Sequence, residues 1–268
     1  MRLWCMLTAS LVMLTAPAVA QTPVANPDNP GWTPTDGGCS VWNESPKADE
    51  TVSWGGGCTN GRANGSGLET WRVAGKETYR YHGEMRQGKP NGRGVATWAG
   101  GERYEGDWVD GKFTGHGSIT YDNGDRYDGD WVGGKQSGHG VFIPAKGGRL
   151  DGQWTDDQFT GHGSITFASG NSYEGDFLNG KKSGRGVYVW ASGDRYEGAW
   201  VDDKRTGYGV YVLPSGIRYE GGFSDGRASG QGRYTKPGVG AIEGNWVNGC
   251  IRDGQRRSAV GVDLSSCP

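Results

Sequence analysis

The sequence predicts an all-β fold: an elongated single-layer antiparallel meander of tandem β-hairpins, twisted into a trough. Three observations carry that reading. Eight segments overlay without gaps at a period of 23 residues, starting at Tyr81, Tyr104, Tyr127, Leu150, Tyr173, Tyr196, Tyr219 and Ile242. With the start as position 1, glycine stands at position 3 in all eight copies and at both 12 and 14 in seven. Position 5 is bulky throughout, as in Met85, Trp108, Phe177 and Trp246, and positions 1–5 and 12–18 alternate in the two-residue rhythm of a strand with one apolar face. Units of this kind bury their apolar faces only against their neighbours, so function belongs to the surface of an array and no single cleft is expected.

Residues 1–20 read as a secretory signal peptide. Arg2 opens a short n-region, an apolar run covers Leu3 to Leu14, and Ala18-Val19-Ala20 precedes a cleavage point after Ala20. The run is too short and wrongly flanked to span a bilayer as a helix. Export to the periplasm or the exterior follows, and Cys5 leaves with the peptide. Residues 21–38 hold Pro23, Pro27, Pro30 and Pro34 and read as a proline-rich extended leader. Residues 39–80 read as an N-terminal cap built on a degenerate first repeat, with Trp54, Gly56, Cys58, Gly61, Gly65, Gly67 and Trp71 at positions 1, 3, 5, 8, 12, 14 and 18. Seven repeats fill 81–241, and a truncated repeat with a C-terminal cap fills 242–268.

After export four cysteines remain, and four cysteines allow three connectivities. Proximity in sequence and the oxidising compartment favour Cys39 with Cys58 and Cys250 with Cys267, one clamp at each end where a terminal repeat lacks a neighbour.

A six-residue loop inside each hairpin would pair position 5 with 12, 3 with 14 and 1 with 16. The ring at 5 would then lie over the glycine at 12. Position 4 would stand across from 13, as Asp107 with His116, Asp130 with His139 and Asp176 with Arg185, each exposed pair contributing a few tenths of a kcal/mol. Between copies, a three-residue loop at 19–21 keeps the faces in phase and needs a left-handed residue at its last position. Gly101, Gly124, Gly147, Gly170, Gly193 and Gly216 are there, and Val239 predicts an irregularity near 237–240. The sum is about sixteen strands, roughly 75–80 Å long at about 4.8 Å per strand.

The unit Tyr-Glu-Gly-Asp-Trp-x-x-Gly-Lys-x-x-Gly-x-Gly, nearly intact in 104–117 and 173–186, resembles the MORN repeat (membrane occupation and recognition nexus) in an exported bacterial form, over about residues 54–251. The resemblance implies tandem β-hairpins, with partner binding, self-association and phospholipid contact as the uses of such arrays. It implies no particular activity.

A net charge of −2, or −3 without Arg2, argues against nucleic acid, which requires a strongly basic face. His116, His139 and His162 recur at position 13, but copies two strands apart stand about 9.5 Å from one another. Metal–nitrogen bonds are about 2 Å, so no metal or other cofactor is expected. No nucleophile has a convincing base and orienting group, and an enzyme is the least favoured class. Two binding surfaces remain. The trough aligns Tyr104, Trp108, Trp131, Trp154, Tyr173, Trp200 and Tyr219, either as the array's own core or as a face for a peptide, a glycan ring or a second array. Lys89, Lys112, Lys135, Lys181, Lys204 and Arg227 recur at position 9 and form a basic loop edge. The reading is a non-catalytic exported scaffold for protein–protein interaction or self-association in the cell envelope, with direct binding of anionic phospholipid headgroups or cell-wall glycan as the alternative.

Overall fold

The computed structural model describes residues 31–253 and 256–267. The signal segment and the first part of the leader lie outside the described residues. Gly31–Pro34, within the stretch expected as leader, forms β1 and pairs with β2 (Ser40–Asn43). The cap continues with β3 (Glu50–Trp54), β4 (Gly57–Thr59) and β5 (Arg62–Val73). The repeats follow as strand pairs: β6 (Lys76–Arg86) with β7 (Lys89–Trp98), β8 (Arg103–Val109) with β9 (Lys112–Thr120), and β10 (Arg126–Val132) with β11 (Lys135–Ile143). Next come β12 (Gly148–Thr155) with β13 (Gln158–Phe167), β14 (Ser172–Leu178) with β15 (Lys181–Val189), and β16 (Arg195–Val201) with β17 (Lys204–Val212). β18 (Arg218–Ser224) with β19 (Arg227–Lys236) and then β20 (Gly240–Trp246) end the array. Twenty strands make one open sheet, more than the sixteen expected because the cap joins it, and β21 (Cys250–Asp253) with β22 (Arg256–Ala259) form a separate hairpin. No α-helix occurs among the described residues. Cys39–Cys58 and Cys250–Cys267 are bonded, one pair in each cap.

The turn inside each hairpin differs from the six-residue loop expected. It has two residues, as at Asp110-Gly111 (φ +50° and +83°) and Asn179-Gly180 (φ +50° and +75°). Two successive left-handed residues make the type I′ turn, whose twist matches that of the flanking strands. The tight turn changes the register near it. Tyr104 still faces Ile119 and Gly106 faces Gly117, but Asp107 faces Thr114 and Trp108 faces Phe113, so position 5 pairs with 10 and not with 12. The two surplus residues, Gly115 and His116, form a bulge. Gly115 has φ +58°, so the glycine at position 12 exists for a left-handed backbone and not for ring clearance.

The expected 4-to-13 pairs inside a hairpin are therefore displaced to the junction between copies. There Asp130 faces His116 and Asp176 faces His162, in unbroken register from Tyr127 opposite Ile119 to Trp131 opposite Gly115. Within its own copy, the carboxylate at position 4 closes the bulge instead: Asp130 Oδ2 accepts the His139 backbone N–H at 3.2 Å, and Asp176 Oδ2 accepts that of Arg185 at 3.2 Å. The three-residue loops between copies are as expected, with Gly101, Gly124, Gly147, Gly170, Gly193 and Gly216 at φ +80° to +96°. At 237–239 the loop keeps its length, with Val239 N–H donating to Lys236 O at 3.1 Å, and the positive φ moves to Gly238 and Gly240.

The ring that rides over backbone is the tyrosine at position 1. Cβ atoms built on Gly106 or Gly117 would overlap the Tyr104 ring, and the same holds for Gly129 and Gly140 beneath Tyr127. The hydroxyl then donates to the carbonyl at position 4, at 3.1 Å for Tyr104 to Asp107 and for Tyr127 to Asp130. Tryptophan at position 5 reaches back one copy: Trp131 Nε1 donates to Gly117 O at 3.0 Å, and Trp154 Nε1 to Gly140 O at 3.1 Å. Position 10 also points into the trough and differs between neighbouring copies, being Pro90, Phe113, Gln136, Phe159, Lys182, Arg205 and Ala228. Phe113 stacks on Tyr104 with centroids 3.7 Å apart. Arg205 lies 5.4 to 5.7 Å from the rings of Phe223, Tyr196, Tyr211 and Trp190, and Lys182 Nζ lies 5.0 Å from Tyr188 and from Trp200 and 3.6 Å from Asp203.

Gly140→Ala should cost about 3 kcal/mol because a buried ring and a strand cannot both yield. Gly133→Ala, at an exposed turn with nothing within 4 Å of the new Cβ, should cost only about 1 kcal/mol for its left-handed backbone. Thermal unfolding followed by circular dichroism compares the two, and equal losses would contradict the ring-over-glycine account.

Candidate functional site

The seven residues expected to form an aromatic binding face are the core. Tyr104, Trp108, Trp131, Trp154, Tyr173, Trp200 and Tyr219 are each no more than 4% exposed. Edge-on contacts link them along the array, for example Tyr104 to Trp131 at 5.7 Å and Tyr173 to Trp200 at 5.4 Å. Their polar tips are occupied by backbone carbonyls, and burial holds the hydroxyls of Tyr104 and Tyr173 well above the ordinary tyrosine value. A single-layer sheet has no other interior, so these rings offer a partner no surface.

The basic edge does exist, but much of its charge is spent. Each residue at position 9 opens the second strand of its hairpin. Three of them reach an aspartate at position 7 of the next copy: Lys135 to Asp156 at 3.3 Å, Lys181 to Asp202 at 3.3 Å, and Lys204 to Asp225 at 2.9 Å, whereas Asp110, the counterpart of Lys89, pairs with Arg86 at 3.8 Å. Lys89 Nζ lies 4.9 Å from the Trp42 ring. Lys112 and Arg227, whose counterparts at position 7 are Gly133 and Asn248, have no ion pair among the described residues. The histidines at position 13 pair with acids of the following copy, as His116 with Asp130 at 3.4 Å and His162 with Asp176 at 3.1 Å.

Two features beyond those expectations stand out. Position 6 falls on the solvent phase of its strand, yet carries Val109, Val132, Leu178, Val201 and Val247, each 47–66% exposed. It pairs with position 9, as Val109 with Lys112 and Val132 with Lys135, so an aliphatic row interrupted at Thr155 and Ser224 lies beside the lysine–aspartate pairs along the turn edge. The alternation rule could have found it, since these are apolar residues in a polar phase.

The second feature is a cavity of about 220 Å³ at the amino-terminal end of the trough, where β2 and the segment 44–50 wall the first repeats. Trp42, Trp71, Tyr79, Trp98 and Trp108 line it, together with Glu69. Glu69 pairs with both Trp54 and Tyr81, which is the place that Ile119, Phe142 or Tyr188 holds in later copies. Burial pushes its carboxyl up to about 8, with a hydrogen bond from the Trp71 side chain opposing the shift. Trp98 Nε1 is buried with no hydrogen-bond partner among the described residues, and the Trp98 ring stands 5.3 Å from Tyr79.

The sequence pattern of the MORN repeat family matches residues 59–73, 81–103, 104–126, 127–149, 151–172, 173–195, 196–218 and 219–238. The chain belongs to the MORN repeat family. The matched MORN units restart at Tyr81, Tyr104, Tyr127, Tyr173, Tyr196 and Tyr219, in step with the ring-over-glycine hairpins. No protein of curated function matches the chain. Among solved structures, the SAS-4 (dCPAP) TCP domain of Drosophila melanogaster, in complex with a proline-rich motif of Ana2 (dSTIL), is 12% identical. That match covers 58% of this chain and 84% of the other, at a TM-score of 0.38. The TCP10 domain of Danio rerio CPAP is 14% identical over 63% of this chain and 95% of the other, at a TM-score of 0.25. Likenesses at this level carry no functional argument.

The buried acid gives the MORN array a pH signature. Its pKa is higher folded than unfolded, so its contribution is fully present below the ordinary carboxylate value of 4.5 and is lost as pH rises through about 8. Urea midpoints should therefore fall between pH 5 and pH 8 in the native chain more than in Glu69→Gln, whose amide does not titrate. Identical slopes in the two proteins would show that Glu69 is not held protonated.

Proposed function

We propose that the chain is a non-catalytic scaffold of the cell envelope that engages a protein partner, a second copy of itself being the simplest, along the turn edge of the array. The observation that carries the reading is the exposed row Val109, Val132, Leu178, Val201 and Val247, flanked by lysines largely neutralised by aspartates. Compensated charges need not shed strong hydration alone, and a ladder of alternating signs is complementary to another copy of itself. Export is supported by the leader-like residues 1–20 and by the two disulfides, which belong to an oxidising compartment. Burying each aliphatic side chain contributes about 1 kcal/mol. Five in register thus only reach the lower end of the roughly 4–15 kcal/mol cost of association, which makes the edge a reversible or multi-point contact.

Contact with anionic headgroups is the second reading, and it draws on Lys112 and Arg227, which lack ion pairs. At about 1 kcal/mol per cation near an anionic surface, two give a weak bias.

The paired change Val132→Asp and Val201→Asp should lower the self-associated fraction in light scattering, or the yield of a crosslinked partner from envelope extract, by about tenfold for a loss of ~1.4 kcal/mol, with the strand spectrum unchanged. A native protein that stays monomeric and captures nothing would end the protein-scaffold reading. Retention on anionic vesicles, lost at high salt, would favour the second one.

A further inference from the structure

We propose that the cavity at the amino-terminal end of the trough is a binding site for one uncharged pyranose ring of a glycan. It lies apart from the position 6 stripe and does not depend on the turn edge binding a protein.

The cavity is open for a local reason. Position 10 plugs the trough with Phe113 in the next copy and Phe159 further on, whereas the first full repeat has Pro90, which lines the cavity and does not fill it. Trp42, from the cap strand β2, together with Tyr79 and Trp98, is half-buried, so aromatic side chains border the space. At about 220 Å³ it lies below the roughly 300–1,000 Å³ of sites for drug-sized ligands and suits a single ring.

The polar groups decide the chemistry. Glu44, Glu50 and Asp110 face Lys47, Lys89 and Lys112 around the lining, three carboxylates against three ammonium groups, and Glu69 adds no charge while protonated. A balanced wall favours neither an anion nor a cation. A cationic ligand would also meet the Lys89 ammonium, which already lies 4.9 Å from the Trp42 ring. A purely apolar side chain would desolvate the six charged groups of the wall without replacing their bonds to water. A pyranose satisfies all of these conditions at once. Its C–H face packs on a ring, and its hydroxyls both donate and accept, matching the carboxylates, the lysines and the tyrosine hydroxyl of the lining.

Titration of the exported chain at pH 6 with neutral trisaccharides of N-acetylglucosamine, glucose and xylose, followed by tryptophan fluorescence and calorimetry, tests the site. At least one sugar should saturate below about 20 mM. Pro90→Phe, which copies the plug of the next repeat, should abolish that binding without changing the strand spectrum. Should that variant misfold, Trp98→Leu removes one aromatic wall and should weaken binding about tenfold or more. The Val132→Asp, Val201→Asp protein should bind sugar as the native chain does. No saturation by any trisaccharide, saturation by choline chloride, inorganic phosphate or a proline peptide in its place, or undiminished binding by folded Pro90→Phe would overturn the assignment.

Discussion

The structure depends on one close approach: a tyrosine ring lying flat over two glycines that face each other across a strand pair. A single-layer sheet has no second layer to bury its apolar side, and the ring must find cover on the backbone of its own hairpin. That is possible only where Gly106 faces Gly117, or Gly129 faces Gly140, because a Cβ on any of them would overlap the ring. Once seated, the hydroxyl takes the carbonyl at position 4, and the tryptophan four residues on bonds the glycine carbonyl of the preceding copy. The same few atoms thus hold a hairpin together and join it to its neighbour, as nearest-neighbour stability in a repeat array requires.

With the rings enclosed, recognition has to come from what the core does not need. The bulge places position 13 and position 4 of adjacent copies on the outer face as acid–base pairs that largely satisfy each other. The turn edge is different, since the aliphatic residues at position 6 have no role inside the hairpin and remain in water. At the amino-terminal end the core is incomplete, because Pro90 stands where the next copy has Phe113, and Glu69 where later copies have Ile119, Phe142 or Tyr188.

Much of this was legible in the sequence, and the misreadings have physical causes. The period, the burial phase, the inter-copy loops ending in Gly124 or Gly170 and both disulfides follow from spacing and composition. The hairpin turn differs from the spacing-based expectation because the glycine at position 12 serves the backbone and not packing. Asp110-Gly111 and Asn179-Gly180 carried the stronger signal, a two-residue turn that forces a bulge and gives Gly115 its left-handed backbone. Strand β1 was hidden because a proline-rich composition resembles a linker, while its order comes from distant partners: Trp32 packs against Trp42 at 5.1 Å and lies beneath Arg62 at 3.8 Å. Glu69 is an acid in an apolar phase, but its burial depends on cap strand β2 and the segment 44–50, which lie outside the repeat pattern.

The row at position 10 bears on how such a chain avoids confusing its own modules. Hairpins with interchangeable turns, glycines and tyrosines could dock one whole unit out of place at little cost. The buried plugs differ, however: a phenyl ring seats against Tyr104, an amide meets the Tyr121 hydroxyl through Gln136, an ammonium needs Asp203, and a guanidinium needs four surrounding rings and the Gly226 carbonyl. Shifting the ribbon by one module would strand a cation in a slot shaped for a phenyl group, a penalty far larger than any exposed contact could offset. Neighbouring hairpins therefore carry different addresses, and part of the order along the ribbon is written in this buried row.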